Sequence, residues 1–244
     1  MIQPSPDPAV RGSVLKRFLP ILILIAGLVA FFAFGGHRYV GFDTLEKHRE
    51  ALMALVAEHG FAAVLGFIVI YAVMVAFSIP GALVMTVTSG FLFGTLGGAA
   101  CSVVGATLGS IALFLAARTA IGGLLRDKAG PALAKMKAGF QEDALSYLLV
   151  LRLIPIFPFF IVNLVPAFLG VTLRVFAIAT FIGIIPGSFV YATVGAGLGS
   201  IFDSGEEFSA GSILTPEIVT ALIGLAVLAM LPVAYKKFRA KRGR

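Results

Sequence analysis

The chain alternates between long apolar stretches and short segments that carry nearly all of its charge. No Asp, Glu, Lys or Arg occurs between Glu58 and Arg118. Further weakly charged stretches cover residues 144–173, interrupted only by Arg152, and residues 175–202 and 218–234. An apolar helix of about 20 residues matches the hydrocarbon thickness of a bilayer. The pattern therefore predicts an all-α protein that crosses a membrane several times.

The two ends of the chain are predicted to be anchored as well. An apolar run at residues 18–35 follows three basic residues, as in a signal peptide. The run is long for a signal peptide, and no small-x-small cleavage site follows it. We predict a retained N-terminal transmembrane anchor at 18–35, after a disordered cytoplasmic tail at 1–17. A C-terminal transmembrane helix is predicted at 216–235, before a basic cytoplasmic tail at 236–244.

Composition supports lipid as the surrounding solvent. Hydrophobic residues make up 59% of the chain and charged residues 13%, and the mean hydropathy is +1.02. A soluble domain carries about 25% charged residues. The net charge of +7 lies beside the apolar runs, which is the positive-inside pattern of membrane proteins and not a nucleic-acid-binding face. We therefore expect an integral membrane protein with no nucleic-acid partner.

The charged linkers orient the chain in the membrane. Basic residues cluster in the linker from Arg118 to Asp143, which predicts a cytoplasmic location, whereas the acidic linker at 201–216 is predicted to lie outside. Residues 144–173 cannot cross the bilayer twice, because two crossings need about 40 residues and a turn. This stretch is therefore predicted to dip into the membrane and return to the same side, as a re-entrant hairpin. Its prolines interrupt helical hydrogen bonding and favour that shape; they are Pro155, Pro158 and Pro166.

Residues 61–97 allow two interpretations, a second re-entrant hairpin or two full spans. The candidate turn ends at Pro80-Gly81 and carries no charge that would hold it in water, which favours the hairpin. Gly90 and Gly94 are further candidate breaks in this stretch. Gly94 follows Phe-Leu-Phe, and Gly170 follows Phe-Leu in the second hairpin. The two hairpins are thus predicted to end alike.

The order of the segments predicts an internal repeat. Residues 42–118 and 119–199 each comprise a polar amphipathic segment, a broken hairpin and a transmembrane helix. The amphipathic segments are predicted from Asp43 to Glu58 and from Pro131 to Phe140. One hairpin is predicted to enter from outside and the other from inside, so the repeat is inverted. Broken helices that meet near the midplane of inverted repeats form the binding sites of many transporters. The alternative is that the glycines and prolines serve only close helix packing, the role we assign to Gly105 and Gly109.

Arg152 is the one charge within the second hairpin, about 12 Å along a helix that starts at residue 144. An arginine near the bilayer centre costs at least about 2.5–3.5 kcal/mol, so we expect it to face a wet cavity or a bound anion. Its forked donors suit a phosphate group. Asn163 is a second candidate, as a ligand or as a cap for the hairpin backbone. The alternative for Arg152 is that it reaches back to the lipid headgroups.

No pattern in the sequence predicts an enzyme, a cofactor or a metal site. His48 and His59 are eleven residues apart, about 16 Å along a helix, which is too far for one metal ion at about 2 Å per bond. HExxH, GxSxG and P-loop motifs are absent from the sequence. We therefore expect a protein without catalytic residues.

The motifs, taken in order, resemble those of the DedA superfamily, also called SNARE-associated or VTT-domain proteins. The resemblance is greatest to the branch of the Golgi Tvp vesicle proteins and their bacterial relatives. It spans about residues 61–199. The matching residues are Pro80-Gly81, Gly90-Phe-Leu-Phe-Gly94, Gly105-Ala-Thr-Leu-Gly109, Arg118, Arg152-x-x-Pro155-x-x-Pro158, Asn163, Gly170 and Gly183-x-x-Pro186-Gly187-x-x-x-Tyr191.

The resemblance implies two inverted re-entrant hairpins, movement of lipids and a place for Arg118 beside Arg152 and Asn163 in a lipid-phosphate site. It also implies proton coupling through acidic residues, yet the first hairpin contains none. The nearest carboxylates are those of Glu58, Glu142 and Asp143 at the ends of the hairpins. For a bacterial relative we expect the cytoplasmic membrane, with both termini in the cytoplasm.

The predicted function is therefore lipid translocation by a scramblase or flippase, for phospholipid or polyprenyl phosphate, along a path between the hairpins. The expected partners are membrane lipids with phosphate-bearing headgroups, and a homo-oligomer is possible. Two alternatives stay open. One is a proton- or ion-coupled transporter of a small solute, and the other is a trafficking or assembly protein that binds partners through its amphipathic segments.

Overall fold

A computed structural model describes residues 8–121, 143–153, 157–204 and 227. These residues contain no strand, so the all-α prediction is confirmed for them. The predicted amphipathic segment at 131–140, the helix at 216–235 and the tail at 236–244 lie outside them. A 3-10 turn, Gly36–Tyr39, precedes α2. The helices are α1 (Pro8–Ala33), α2 (Phe42–Lys47), α3 (Arg49–His59), α4 (Phe61–Ala76), α5 (Ala82–Ile121), α6 (143–153), α7 (Phe159–Phe168) and α8 (Leu173–Ser204).

Two helices of the described chain are long and apolar enough to cross a membrane, Ala82–Ala120 and Leu173–Leu198. The first is interrupted at Gly94, where φ is 71° and ψ is 175°. Gly94 divides α5 into a short limb, residues 82–93, and a long limb, residues 95–121. The long limb alone is about 40 Å long at 1.5 Å per residue, which exceeds the roughly 30 Å of bilayer hydrocarbon.

The N-terminal helix corrects one predicted boundary. Residues 1–17 were expected to form a disordered tail, but α1 begins at Pro8 and continues to Ala33. Proline is favoured in the first turn of a helix, since its missing N–H has no intrahelical partner there. The helical stretch that follows therefore extends well before the apolar run at residue 18.

The first hairpin consists of α4 and the short limb of α5. Its turn at residues 77–81 contains two positive φ angles, 55° at Ser78 and 132° at Gly81. Cβ positions on Gly105 and Gly109 of the long limb lie against the α4 backbone carbonyls of Ile68 and Ala72. The predicted packing role of these two glycines is therefore confirmed. The residue numbers in these contacts increase together along the two helices, so α4 and the long limb run parallel.

The turn of the first hairpin lies short of the end of the long limb. A Cβ on Gly109 would be 2.6 Å from Val75, just before the turn. The long limb continues from Gly109 to Ile121, about 18 Å further along its axis. The hairpin therefore turns back beside the middle of the long limb.

The second hairpin consists of α6 and α7 and repeats this arrangement. Pro158 precedes α7 with an extended ψ of 131°, and Pro155 lies outside the described residues. Gly170, with φ of 76°, separates α7 from α8, as Gly94 separates the limbs of α5. Leu148 shares a buried cluster with Phe176, and Arg152 contacts Gly183, so α6 runs parallel to α8.

Two of the residues predicted to break the hairpins do not do so. Pro166 lies inside α7, which continues to Phe168. Its ring sits in the last turn of this short helix, so the loss of one N–H donor is tolerated. Gly90 lies inside the helical short limb of α5, where the absence of a side chain permits close contact with Ala192.

The long limb of α5 and α8 pack against each other antiparallel. At one end the rings of Phe114 and Phe176 stack with centroids 4.3 Å apart. At the other end Gly98 lies against Gly90, and Gly90 lies against the backbone of Ala192. The first helix of each hairpin runs parallel to the long helix that follows it, and the two long helices are antiparallel. The two hairpins therefore have opposite orientations.

The amphipathic segment after α1 covers one end of this helix pair. It was predicted as one segment from Asp43 to Glu58 and is divided at His48 into α2 and α3. Leu45 is buried in a cluster with Val87 and Leu198. The apolar face of α2 therefore packs inward on α5 and α8, whereas no residue of α3 is fully buried.

The close contact between α5 and α8 predicts the effect of adding a methyl group. A Cβ on Gly195 would overlap the backbone carbonyl of Val87, whereas a Cβ on Gly197 of the same helix would meet nothing within 4 Å. We expect Gly195→Ala to lower the free energy of unfolding by about 1–3 kcal/mol, because the backbones must separate. Gly197→Ala is the control and should be neutral or slightly stabilising. Thermal unfolding in detergent measures both, and equal effects would contradict the observed helix contact.

Candidate functional site

A cavity of about 330 Å³ lies between the two hairpins. Tyr71 and Thr86 of the first hairpin form one part of its wall, and Arg152 and Phe159 of the second hairpin form another. The remaining side is α8, which contributes Gly183, Gly187, Ser188 and Tyr191. The cavity is therefore assembled from both halves of the chain, as the sequence predicts for the meeting point of two hairpins.

Arg152 is held by two hydrogen bonds from a single nitrogen. Its Nη2 donates to Oδ1 of Asn163 at 2.6 Å and to Oγ1 of Thr180 at 2.8 Å. The guanidinium carbon also lies 5.4 Å from the ring centroid of Phe159 and 5.5 Å from that of Phe176. Cation–π contacts of this kind stabilise a partly desolvated cation. The side chain is thus fixed by neutral groups from two helices, α7 and α8.

The same guanidinium keeps unused donors. Nε and Nη1 of Arg152 and Nδ2 of Asn163 are buried and have no hydrogen-bond partner among the described residues. Buried donors normally find a partner in the protein, an ordered water or a ligand. Among the described residues that line the cavity, no carboxylate accompanies the arginine. The arrangement therefore suits an anion, which accepts hydrogen bonds and neutralises the charge.

The first hairpin contains a polar pair at the matching position. Tyr71 of α4 donates to the carbonyl of Ala82 at 2.9 Å, and its hydroxyl lies 2.8 Å from Oγ1 of Thr86. Thr86 is the fifth residue of α5, and Asn163 is the fifth residue of α7. In each hairpin, this residue of the returning helix bonds to a side chain of the entering helix.

The other predicted site residues lie away from the cavity. Arg118 is exposed near the end of the long limb, and Glu58 is exposed near the end of α3. Asp143 is half-buried at the first described position of α6. None of these three lines the cavity, and Glu142 lies outside the described residues. The structure thus brings Arg152 and Asn163 together and leaves Arg118 apart from them.

Sequence reasoning missed Thr180, Tyr71 and Thr86. Each is a hydroxyl-bearing residue in a strongly apolar helix, and Thr86 and Thr180 are almost fully buried. Polar side chains in a membrane helix tend to face the protein interior, which is a usable signal. Pairing Thr180 with Arg152 required the packing of α6 on α8, which the sequence pattern does not specify.

The chain is similar in sequence to one domain family and to several known proteins. The model of the VTT domain matches residues 79–197. A transmembrane protein 41 homolog of Dictyostelium discoideum is 33% identical, over 80% of this chain and 58% of that protein. A transmembrane protein 41 homolog of Caenorhabditis elegans is 30% identical, over 78% of this chain and 77% of its own length. The uncharacterized protein YqeD of Bacillus subtilis is 29% identical, over 92% and 96% respectively.

The matches differ in how much of each relative they cover. This chain spans about three-fifths of the Dictyostelium protein but nearly all of YqeD. The matched VTT region contains α5, α6, α7 and most of α8, and with them Arg152, Asn163 and Thr180. No solved structure matches the chain.

The hydrogen bond from Arg152 to Asn163 predicts a stability difference between two substitutions. Asn163→Leu removes the acceptor from a buried cation and should lower the free energy of unfolding by about 2 kcal/mol. Asn163→Asp keeps an acceptor oxygen in place, so it should cost clearly less. Thermal unfolding of the purified variants measures the difference. A larger loss for Asp than for Leu would show that Nη2 does not depend on this oxygen.

Proposed function

Because the chain belongs to the VTT-domain, or DedA, family of integral membrane proteins, we propose that it translocates phosphate-bearing lipids across the bilayer as a scramblase or flippase. The sequence-based assignment to this superfamily is confirmed. The assignment to its vesicle-protein branch stays a prediction. The proposed path for the headgroup is the cavity between the two hairpins, and the proposed lipids are phospholipids or polyprenyl phosphates.

The environment of Arg152 is the observation that supports the proposal most directly. It is a cation held among neutral side chains, with buried donors that no described residue satisfies. A charge placed this way in an apolar helix costs free energy that packing does not return. A lipid phosphate would supply both the missing acceptors and the missing negative charge. In this proposal, the free-energy cost of burying an unneutralised Arg152 is recovered when a lipid phosphate binds to it inside the membrane.

A second, apolar cavity supports a lipid as the ligand. About 460 Å³ in volume, it lies between α1 and the turn of the first hairpin. Phe160 and Leu164 line it, whereas Phe159 and Val162 of the same helix line the cavity of Arg152. The two cavities therefore flank α7. We propose that the hydrocarbon part of the lipid lies on the apolar side while its headgroup is at Arg152.

The topology we propose is an inverted repeat of two re-entrant hairpins. The short limb of α5 and α7 have 12 and 10 residues, or about 18 and 15 Å, and neither spans the hydrocarbon. The opposite orientation of the hairpins supports the inversion. We further propose a location in a bacterial cytoplasmic membrane, with both termini in the cytoplasm. We also propose that the protein has no enzymatic activity and that it forms a homo-oligomer.

Two alternatives are less well supported by the structure. Proton relays in membrane proteins commonly use Asp, Glu or His side chains, and none of the described cavity-lining residues is of these types. Partner binding through the amphipathic segment would have to use α3, where Met53 and Leu55 are 48% and 49% exposed, because Leu45 of α2 is only 4% exposed within the protein. Lipid movement uses the observed cavity directly.

Translocation by purified protein in liposomes tests the proposal. We expect the wild type to move fluorescent phospholipid, and Arg152→Ala to slow this by about tenfold or more through loss of charged hydrogen bonds. Arg152→Lys should retain part of the rate, since it keeps the charge but not the fork. Arg174→Ala removes an exposed arginine from α8 and is the matched control.

A further variant distinguishes the loss of the site's positive charge from a loss of protein stability. Asn163→Asp places a carboxylate beside Nη2 and neutralises the site, so we expect slow translocation in a stable protein. Wild-type protein that moves no lipid, or an Arg152→Ala variant that equals the wild type, would refute the proposed function.

Cysteine accessibility tests the topology of the first hairpin. In a Cys101→Ser background, Ile79→Cys places a thiol in its turn. A re-entrant turn stays within the membrane, so an impermeant maleimide should not label it from the side opposite to Phe61. Two full spans would instead bring residue 79 into water on that opposite side. Rapid labelling there would contradict the re-entrant topology, and Phe61→Cys controls for the near side.

A further inference from the structure

Two hydroxyl groups on α8 line the cavity beyond Arg152. Ser188 is 8% exposed and Tyr191 is half-buried. Neither side chain forms a hydrogen bond with another described residue. Their oxygen atoms are not among the fully buried side-chain atoms that lack a partner, so both keep accessible surface while they line the cavity. These two groups are therefore available to a ligand in the cavity.

Both residues share a face of α8 with the partner of Arg152. Thr180, Ile184, Ser188 and Tyr191 follow one another at spacings of three or four residues, which places them on one side of the helix. Helical side chains lean towards the N-terminus, and a Cβ on Gly187 would be 3.9 Å from the Tyr191 ring. Ser188 and Tyr191 therefore lean towards the end of the cavity that holds Arg152.

The distances along α8 give an order of contacts. Gly183 touches the Cβ of Arg152. Ser188 and Tyr191 follow it by about 7.5 and 12 Å along the helix axis. A ligand with its phosphate at Arg152 therefore meets Ser188 first and Tyr191 next.

The rest of the cavity limits the chemistry of that ligand. Tyr71 and Thr86, on the first hairpin, already bond to each other. No carboxylate is present among the described lining residues, so an ammonium group would find no ion-pair partner. Hydroxyl side chains donate and accept hydrogen bonds and therefore match hydroxyl groups on a ligand.

We propose that Ser188 and Tyr191 recognise hydroxyl groups of the headgroup beyond its phosphate, so that the site selects glycerol-like or sugar-like headgroups. This inference rests on the proposed function, because Arg152 must hold the phosphate. It adds a specificity that charge alone does not provide. A lipid of equal charge without hydroxyl groups is then a poorer ligand.

Phosphatidylglycerol and phosphatidylmethanol are the matched probes, since both carry one negative charge and only the first has headgroup hydroxyls. Binding to the purified full-length protein is measured by native mass spectrometry, and translocation is measured in liposomes. The variants are Ser188→Ala and Tyr191→Phe. Thr193→Val is the control, because Thr193 is exposed and donates to the Phe189 carbonyl of its own helix.

The wild type should prefer phosphatidylglycerol in both measurements. Each variant should weaken phosphatidylglycerol binding by roughly fivefold, the effect of one neutral hydrogen bond, and leave phosphatidylmethanol unchanged. Thr193→Val should keep the wild-type preference. A wild type without preference, or variants that weaken both lipids equally, would overturn the inference.

The two measurements also separate this inference from the proposed function. Binding preference without any translocation would refute lipid movement and support the recognition by Ser188 and Tyr191. Translocation of both lipids at equal rates, with equal binding, would support lipid movement and overturn the recognition.

Discussion

A break in an apolar helix leaves backbone N–H and C=O groups that need partners within the protein wherever water is excluded, and this constraint organises the fold. The turn of the first hairpin satisfies its amides internally, since Ser78 and Ile79 donate to the carbonyls of Val75 and Met74. Positive φ angles at Ser78 and Gly81 make that compact turn possible. The break is enclosed by α1 and the long limb of α5. Residues near both breaks line the same cavity, among them Thr86 of the first hairpin and Arg152 of the second.

The hydrogen bonding of Arg152 meets the same need for polar partners within the protein. Its position one turn before a break allows a charged side chain to reach neutral acceptors on two other helices. Those acceptors use only Nη2 and leave the rest of the guanidinium available. A carboxylate at Asn163 would satisfy the cation and remove its capacity to bind an anion. The neutral amide keeps the arginine in place without neutralising it.

Much of the architecture was predictable, because apolar length and charge position report directly on a membrane. The second hairpin was predicted by counting residues between Asp143 and the acidic linker at 201–216, and its re-entrant course stays a prediction. The packing role of Gly105 and Gly109 was predicted from their spacing and is confirmed. Pro166 and Gly90 were assigned wrongly, since a proline or glycine marks a possible break but neighbouring residues decide whether the helix continues. Thr180 could not be matched to Arg152, because their contact depends on the register between α6 and α8. Arg118 was grouped with Arg152 through resemblance, and the structure separates them.

The contact of α1 with the first hairpin has a consequence for biosynthesis. A Cβ on Gly27 would overlap the ring of Phe77, so the hairpin turn rests closely on the C-terminal half of α1. The ribosome makes α1 before the hairpin, so the surface that receives Phe77 is in place when the turn emerges. Both hairpins also pack against a long helix that is made after them, which is the long limb of α5 for the first and α8 for the second. The first hairpin therefore meets one docking surface, on α1, before its own long helix is complete.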